Sequence, residues 1–545
     1  VQDARFKYIV GHECRVSKAY EFNQRFVCIS GHRFWQEDGN LLFTPGEVKE
    51  QKYRSIVQVC FSHPGLIYAN TNANVNMAIR RIIARREPGS TVDIGGQVVT
   101  VDEALFIWQN ESVALYTRTL LEGNRFRTEA LEPEWYVPPC DLLKSLVRLP
   151  HPKRLLRQAG YDELEMYGLL MKRWQTKAYI YKMKKDEWAK PGKYPRMIGD
   201  LGVLASLVGA FFTGRCKEHR EQNDYKVDGC RSTFVKSAES NKLSEIFYEA
   251  WFTTDPYYIA VHSDDSLLSI ATESGRALYN MDISSCDSSH GPAVYRLLES
   301  LYPDPYNTIA RLVEQLTQPI TIVNVEGPKE RVTLRPVQPV LYSGSTLTTL
   351  VNTIAVDLIY TAIVKTRART EEEIIRAART VGYGITLERA KTPPAMQFLK
   401  HSPVLRDGVM IPVKNLGVLI RAWGITRGDL PTRKKPYEVA ARQYQGDLLH
   451  GVYANISCPF LTTLRVHYPS TGRYVREVAK NWYQEPNHTE KAVHYTLTDE
   501  EFFSRYTTNV DEISNLVHSF TLHNWSCVYD PLANRALGLD YGLNW

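Results

Sequence analysis

The sequence has no CxxC pair and no Cys/His set at ligand spacing; its nine cysteines are scattered. That argues against a structural zinc site and against a disulfide framework, so a reducing compartment is expected. Long apolar runs are also missing. The longest, residues 202–212, falls well short of the roughly 20 residues needed to cross a bilayer, and no membrane span is expected. There is no internal repeat and no low-complexity tract, which sets aside solenoids and extensive disorder. The N-terminus lacks a charged-then-apolar signal pattern and starts at Val1 rather than Met; the expectation is a processed or trimmed chain that is not secreted.

What is present is the composition of an ordinary globular protein, 43% hydrophobic and 23% charged over 545 residues. That length exceeds what one core usually organises, so about three lobes around a cleft are expected. The net charge of +6 is unevenly placed: residues 144–196 carry fourteen Lys/Arg against five Asp/Glu, leaving the remainder net negative. A basic stripe attracts polyanions because neutralised phosphates release counterions. The plainer alternative is a solvated surface.

Residues 1–125 read as mixed α/β without an interpretable motif. The pattern sharpens at Tyr257–His262, an apolar run that predicts a buried strand, followed by a polar turn at Ser263-Asp264-Asp265 and a returning strand over 266–272. A second turn near Gly275 precedes a third strand over 277–282, which brings Asp282 back to the acidic tip. Strands rise about 3.3 Å per residue and lie about 4.8 Å apart, so six or seven residues out and back place these acids at one end of neighbouring strands. Residues 320–325 and 331–334 predict an exposed hairpin. Ser343-Gly344 opens a long helix to about Lys365, and Thr370, with Glu373 three positions on, has capping-box spacing for another.

Three constellations carry chemistry. Asp264 and Asp265 with Asp282 and Asp287 supply hard oxygen ligands of the kind that hold Mg²⁺, and two such ions can activate a 3′-hydroxyl and neutralise a triphosphate leaving group. Either acidic pair alone also fits a solvated turn. Ser343-Gly344 followed by Thr348 and Asn352 is sharper: chance yields that pattern in roughly one chain in a hundred of this size. Thr348 and Asn352, four apart, share a helix face and present a hydroxyl and an amide together; a capped helix with a polar stripe is the alternative. Lys182, Lys184, Lys185, Lys190, Lys193 and Arg196 form a Pro/Gly-punctuated basic segment suited to a triphosphate, with Arg196 favoured because guanidinium engages phosphate bidentately.

Together these residues resemble the palm of viral RNA-dependent RNA polymerases. Asp282 and Asp287 look like motif A, Ser343-Gly344 with Thr348 and Asn352 like motif B, and Ser263-Asp264-Asp265 like motif C, with Ser263 standing where Gly is commonest. Residues 190–196 are similar to motif F, 382–391 to motif D and 397–400 to motif E. The order along the chain is C, A, B. That order resembles the permuted polymerases of permutotetraviruses (the Thosea asigna virus group) and birnaviruses, nearer the former because the tip carries two acids rather than Asp-Asn.

The resemblance implies an α+β right-hand fold of fingers, palm and thumb, with a permuted C-A-B palm on an antiparallel sheet. Residues 1–125 would hold an N-terminal region and fingertips, 126–255 fingers with the basic motif, 256–414 the palm with a fingers insertion at 292–342, and 415–545 the thumb. It implies template-directed RNA synthesis from NTPs, for viral replication and transcription, with two Mg²⁺ or Mn²⁺ ions held by Asp264 and Asp282 and assisted by Asp265. Asp287 and Asn352 would read the ribose 2′-hydroxyl. Ser343, Gly344 and Thr348 would position template and nucleotide, and Arg196, Lys193 and Lys190 would meet the triphosphate. Lys391 is the candidate general acid. Partners would be an RNA template and product, with a protein-linked primer worth testing, in a replication complex of the host cytoplasm or in a virion. The alternatives are a non-catalytic viral RNA-binding or scaffold protein, and a reverse transcriptase.

Overall fold

The computed structural model describes residues 196–284, 286–323 and 339–418, together with 111–126, 152–174, 331–336, 504–509, 531–541 and shorter pieces. Over these residues the chain is mixed α/β, built on sheets in which antiparallel pairing dominates. The central sheet has six strands in the spatial order Ile385–Ala390, Gly275–Ile283, Asp265–Thr272, Tyr257–His262, Cys230–Phe234 and Tyr225–Val227. Its one parallel pair, Cys230–Phe234 with Tyr257–His262, is joined by the helix Ser240–Phe252, the crossover that parallel neighbours require. The other pairs are antiparallel.

Alternation assigns the two faces. Ile259, Val261, Leu268, Ile270, Tyr279 and Met281 enter the larger core, while Tyr258, Ala260, Leu267 and Leu278 pack on the other side with Leu243, Phe247, Met396 and Phe398. The larger core is built around the helix Thr348–Thr366, in which every residue from Leu350 to Val364 is buried. That helix is long and apolar enough to cross a membrane by length and composition, but protein surrounds most of it. A predominantly apolar helix enclosed by protein is a core helix. It ends where Arg367 turns left-handed at φ 53° and the Ala368 amide reaches back to the Ile363 carbonyl, a closure of the kind usually left to glycine. The next helix, Glu371–Thr380, starts as expected, with the Thr370 hydroxyl accepting from the Glu373 amide at 3.2 Å.

Thr353, Asp357 and Thr361, spaced four apart, form a polar stripe along the long helix. Their partners are the Ser263 amide at 3.1 Å, the Ser232 hydroxyl at 2.7 Å and the Tyr225 hydroxyl at 2.7 Å. Each of the three contacts reaches a different segment of the central sheet.

A second six-stranded sheet joins Phe26–Ile29, Phe34–Glu37, Arg331–Pro336, Ile320–Val323, Tyr179–Met183 and Met197–Asp200 in that order. This corrects the expectation of an exposed hairpin at 320–334. Ile320, Ile322, Val332 and Leu334 are each no more than 1% exposed because that face of the pair packs into the larger core, while Val323 and Arg331 on the other face are exposed. Alternation identified the strands, but it carries no information on what covers them. The edge strand Met197–Asp200 brings the end of the basic segment to the central helix. Lys190 and Lys193 lie outside the described residues, as does most of the span assigned to residues 1–125 and 415–545.

Candidate active site

The hairpin tip is built as its sequence requires. His262 pairs with Asp265 across a two-residue turn, and Ser263 takes the left-handed conformation at φ 55°. Such turns match the strand twist and strongly favour small or polar residues. The next ladder sets Ser266 opposite Met281. One step further along brings Asp282, exposed at the end of its strand, to the hairpin tip. Asp264, Asp265 and Asp282 therefore share one end of the central sheet.

Asp265 does more than face solvent there. Its carboxylate accepts from Asn280 Nδ2 at 3.1 Å and from the Leu399 amide at 2.8 Å, tying the tip to residues 397–400. Burial raises its pKa to about 6, against the pull of those hydrogen bonds and of Lys400.

A second cluster joins three segments that lie far apart in sequence. Asn352 Nδ2 donates to Asp287 Oδ1 at 3.2 Å and to Ser263 Oγ at 3.1 Å, while its Oδ1 accepts from His290 Nε2 at 2.7 Å and from Cys286 Sγ at 3.3 Å. Asp287 is raised above its ordinary value by burial first, with the nearby Asp264 charge adding to that; Asn352 and Arg196 pull it down. Arg196 directly precedes the edge strand Met197–Asp200, which seats against the Ser343 loop that opens the Asn352 helix. Arg196 itself is exposed.

Gly344 shows why this loop requires glycine. Its φ is +100°, and a Cβ there would lie 2.8 Å from Ile198 Cγ2 and 3.0 Å from the Gly199 carbonyl oxygen. The Gly199 amide donates to the Ser343 carbonyl at 3.0 Å, so the loop seats directly on the strand that follows Arg196. Gly344→Ala is expected to destabilise the chain by about 2–4 kcal/mol through left-handed strain and overpacking. Urea unfolding measures this, and a loss below about 0.5 kcal/mol would contradict the close seating.

Two expected roles are placed differently. The Thr348 hydroxyl donates back to the carbonyls of Ser345 at 2.9 Å and Tyr342 at 3.3 Å, so it braces the Ser343 loop. Lys391 follows a strand that sets Thr386 beside Asp282 and Ala390 beside Leu278. That direction carries Lys391 roughly 16 Å away from the acidic end, so it is not brought to the acids. His290 and Thr353 were not foreseen, and Tyr383 and Leu399 were named only as members of the segments 382–391 and 397–400, because each reaches the site through a tertiary contact with no local spacing to announce it.

Among the described residues no group of three or more His, Cys, Asp or Glu side chains forms a metal cage. Asp265, expected to assist at the metal, has its two carboxylate oxygens taken by Asn280 and the Leu399 amide, which leaves Asp264 and Asp282 as the candidate donors at the tip. Mg²⁺ usually keeps several waters and is held by one or two carboxylates together with substrate phosphates, and Asp264 with Asp282 supplies that number.

The fold is similar, at 12% identity and a TM-score of 0.41, to a chain in the X-ray structure of a birnavirus VP1–VP3 complex. It is also similar, at 13% identity and a TM-score of 0.43, to the structure of the RNA polymerase VP1 from infectious pancreatic necrosis virus. In each case 74% of this chain and 63% of the other are covered, so the chain spans less than two thirds of those proteins. No protein-family model matches the sequence, and neither does any curated protein.

Proposed function

We propose that the chain is a template-directed RNA polymerase with its palm segments in the permuted order C, A, B, of the permutotetravirus kind. The observation that carries this reading is the convergence of three separate segments. The turn 263–265, the strand end and short helix at 282–287, and the helix at Asn352 meet at one end of a sheet, with Asn352 bonded to both Ser263 and Asp287. Carboxylates brought together repel unless a cation offsets them, so a pure RNA-binding scaffold gains nothing from this arrangement.

In this reading Asp264 and Asp282 hold the divalent ions, which would lower the pKa of the attacking hydroxyl and neutralise the departing pyrophosphate. The protein's own residues then do the positioning. Arg196 meets triphosphate oxygens, the Ser343-Gly344 loop forms the floor beneath the nucleotide, and Asp287 with Asn352 receives the ribose. An amide and a carboxylate together recognise a 2′-hydroxyl, which both donates and accepts; this separates the site from that of a reverse transcriptase.

The test is incorporation of labelled NTPs by the purified full chain on an RNA template, with Mg²⁺ or Mn²⁺ and then with EDTA. Incorporation is expected with either ion and is expected to vanish with the chelator. Asn352→Ala, in the same assay, is expected to lower the preference for ribo- over 2′-deoxyribonucleotides about tenfold, the size of effect when one good hydrogen bond to a polar substrate group is lost. Absence of any metal-dependent incorporation on primed and unprimed templates would refute the reading.

A further inference from the structure

Asn352 can read a ribose only if its amide points the right way round, and nothing in its own helix fixes that. The side chain is 2% exposed. Its nitrogen faces the Asp287 carboxylate and the Ser263 hydroxyl; its oxygen faces His290 Nε2 at 2.7 Å and, more distantly, Cys286 Sγ at 3.3 Å. His290 is fully buried on the short segment after Asp287, and its other nitrogen, Nδ1, lies 2.9 Å from the hydroxyl of Tyr383, also fully buried. The ring meets Tyr383 and Tyr295 edge-on, which limits its rotation.

With a neutral imidazole these contacts run in one direction. Asn352 Oδ1 only accepts, so His290 must carry its proton on Nε2; a neutral ring then leaves a lone pair on Nδ1, which takes the Tyr383 O–H. Donation therefore runs from Tyr383 to His290 to Asn352 to Asp287. Were the amide to turn over, its NH₂ would face the Nε2–H and its oxygen would face the Asp287 carboxylate. Tyr383 sits in the turn before Ile385–Ala390, the strand paired with the one that carries Asp282, so the chain of donors links the metal-side strand to the ribose-side amide.

Resting on the polymerase reading, we infer that His290 and Tyr383 are positioning residues for ribose selection, a buried relay that holds the Asn352 amide in the orientation that recognises a 2′-hydroxyl. Neither touches the nucleotide. Removing the Tyr383 hydroxyl frees the imidazole to move its proton to Nδ1, after which Nε2 becomes an acceptor and its hold on the orientation of the amide is lost.

The experiment is competition between CTP and 2′-deoxy-CTP in single-nucleotide incorporation by the parent, Tyr383→Phe, His290→Leu and His290→Gln, with thermal melts of each. Tyr383→Phe, which deletes one oxygen atom, is expected to lower the ribose preference about tenfold, and His290→Leu more. Both are expected to lose preference by a larger factor than they lose rate on CTP. His290→Gln, which can still donate to Asn352, is expected to recover part of the preference. An unchanged preference in folded Tyr383→Phe and His290→Leu, beside a parent that selects ribose, overturns the relay and leaves the polymerase reading standing. Loss of rate on both nucleotides in equal proportion also overturns it, because that is what a merely structural pair would do. A parent that incorporates nothing overturns the polymerase reading, and the relay with it.

Discussion

Asp264→Ala and Asp282→Ala are each expected to reduce metal-dependent nucleotide incorporation by about a thousandfold or more, since removing a group that stabilises transition-state charge costs roughly 4 kcal/mol in a preorganised site. Both variants are expected to remain folded. Asp282 is exposed at a strand end and Asp264 is half-buried in a two-residue turn, positions where truncation usually changes stability by less than about 0.5 kcal/mol. For Asp264 the sign is expected to favour the variant, because its charge adds to the forces raising the proton affinity of both Asp265 and Asp287. Relief of that repulsion leaves the protein as stable as the parent or slightly more so. RNA binding is expected to persist, being supplied by phosphate contacts to Lys and Arg elsewhere. Asp265→Ala forms the contrast: it removes the partner of the Leu399 amide and Asn280, so it is expected to lower the melting temperature as well as activity. The check is paired measurement of incorporation, melting and filter binding to RNA. Full activity in Asp264→Ala or Asp282→Ala would remove the acids from the chemistry.

The parts of this site visible in the sequence are those whose geometry is local. A strand, a tight turn and a returning strand have fixed rises, so the meeting of Asp282 with the hairpin tip follows from counting residues. The Thr370 cap is local in the same sense. What stayed hidden depends on packing between distant segments. Thr348 shares a helix face with Asn352, yet its hydroxyl is taken by carbonyls of the preceding loop. Lys391 follows a strand whose direction only the ladder with Gly275–Ile283 reveals. His290 is one of fourteen histidines, and only its bonds to Tyr383, 93 positions away, and Asn352, 62 away, distinguish it.

Asp357→Ala is expected to destabilise the folded chain by about 3–5 kcal/mol, the cost of leaving a buried guanidinium without its counter-charge. Asp357 is 2% exposed and accepts from Arg220 Nη2 at 3.2–3.3 Å and from Ser232 at 2.7 Å. Arg220 also donates to the carbonyls of Ser232 and Asn223. Burial raises the Asp357 pKa even with Arg220 beside it, so the pair is costly to desolvate, and replacing both members by apolar residues is expected to be nearly neutral for stability. The reason to keep such a pair lies in the helix that carries it. Thr348–Thr366 is buried on every side from Leu350 to Val364, so hydrophobic burial alone leaves its rotation about its own axis weakly specified. Thr353, Asp357 and Thr361, one turn apart, pin that rotation against the sheet, and the rotation decides whether Asn352 faces Ser263 and Asp287. The double variant Arg220→Met/Asp357→Leu is therefore expected to melt within a few degrees of the parent while losing ribose preference. Urea unfolding of Asp357→Ala and nucleotide competition in the double variant measure the two effects separately. A loss below about 1 kcal/mol in the first would show that the pair is not held as tightly as its burial requires, and a retained preference in the second would show that the helix keeps its rotation without it.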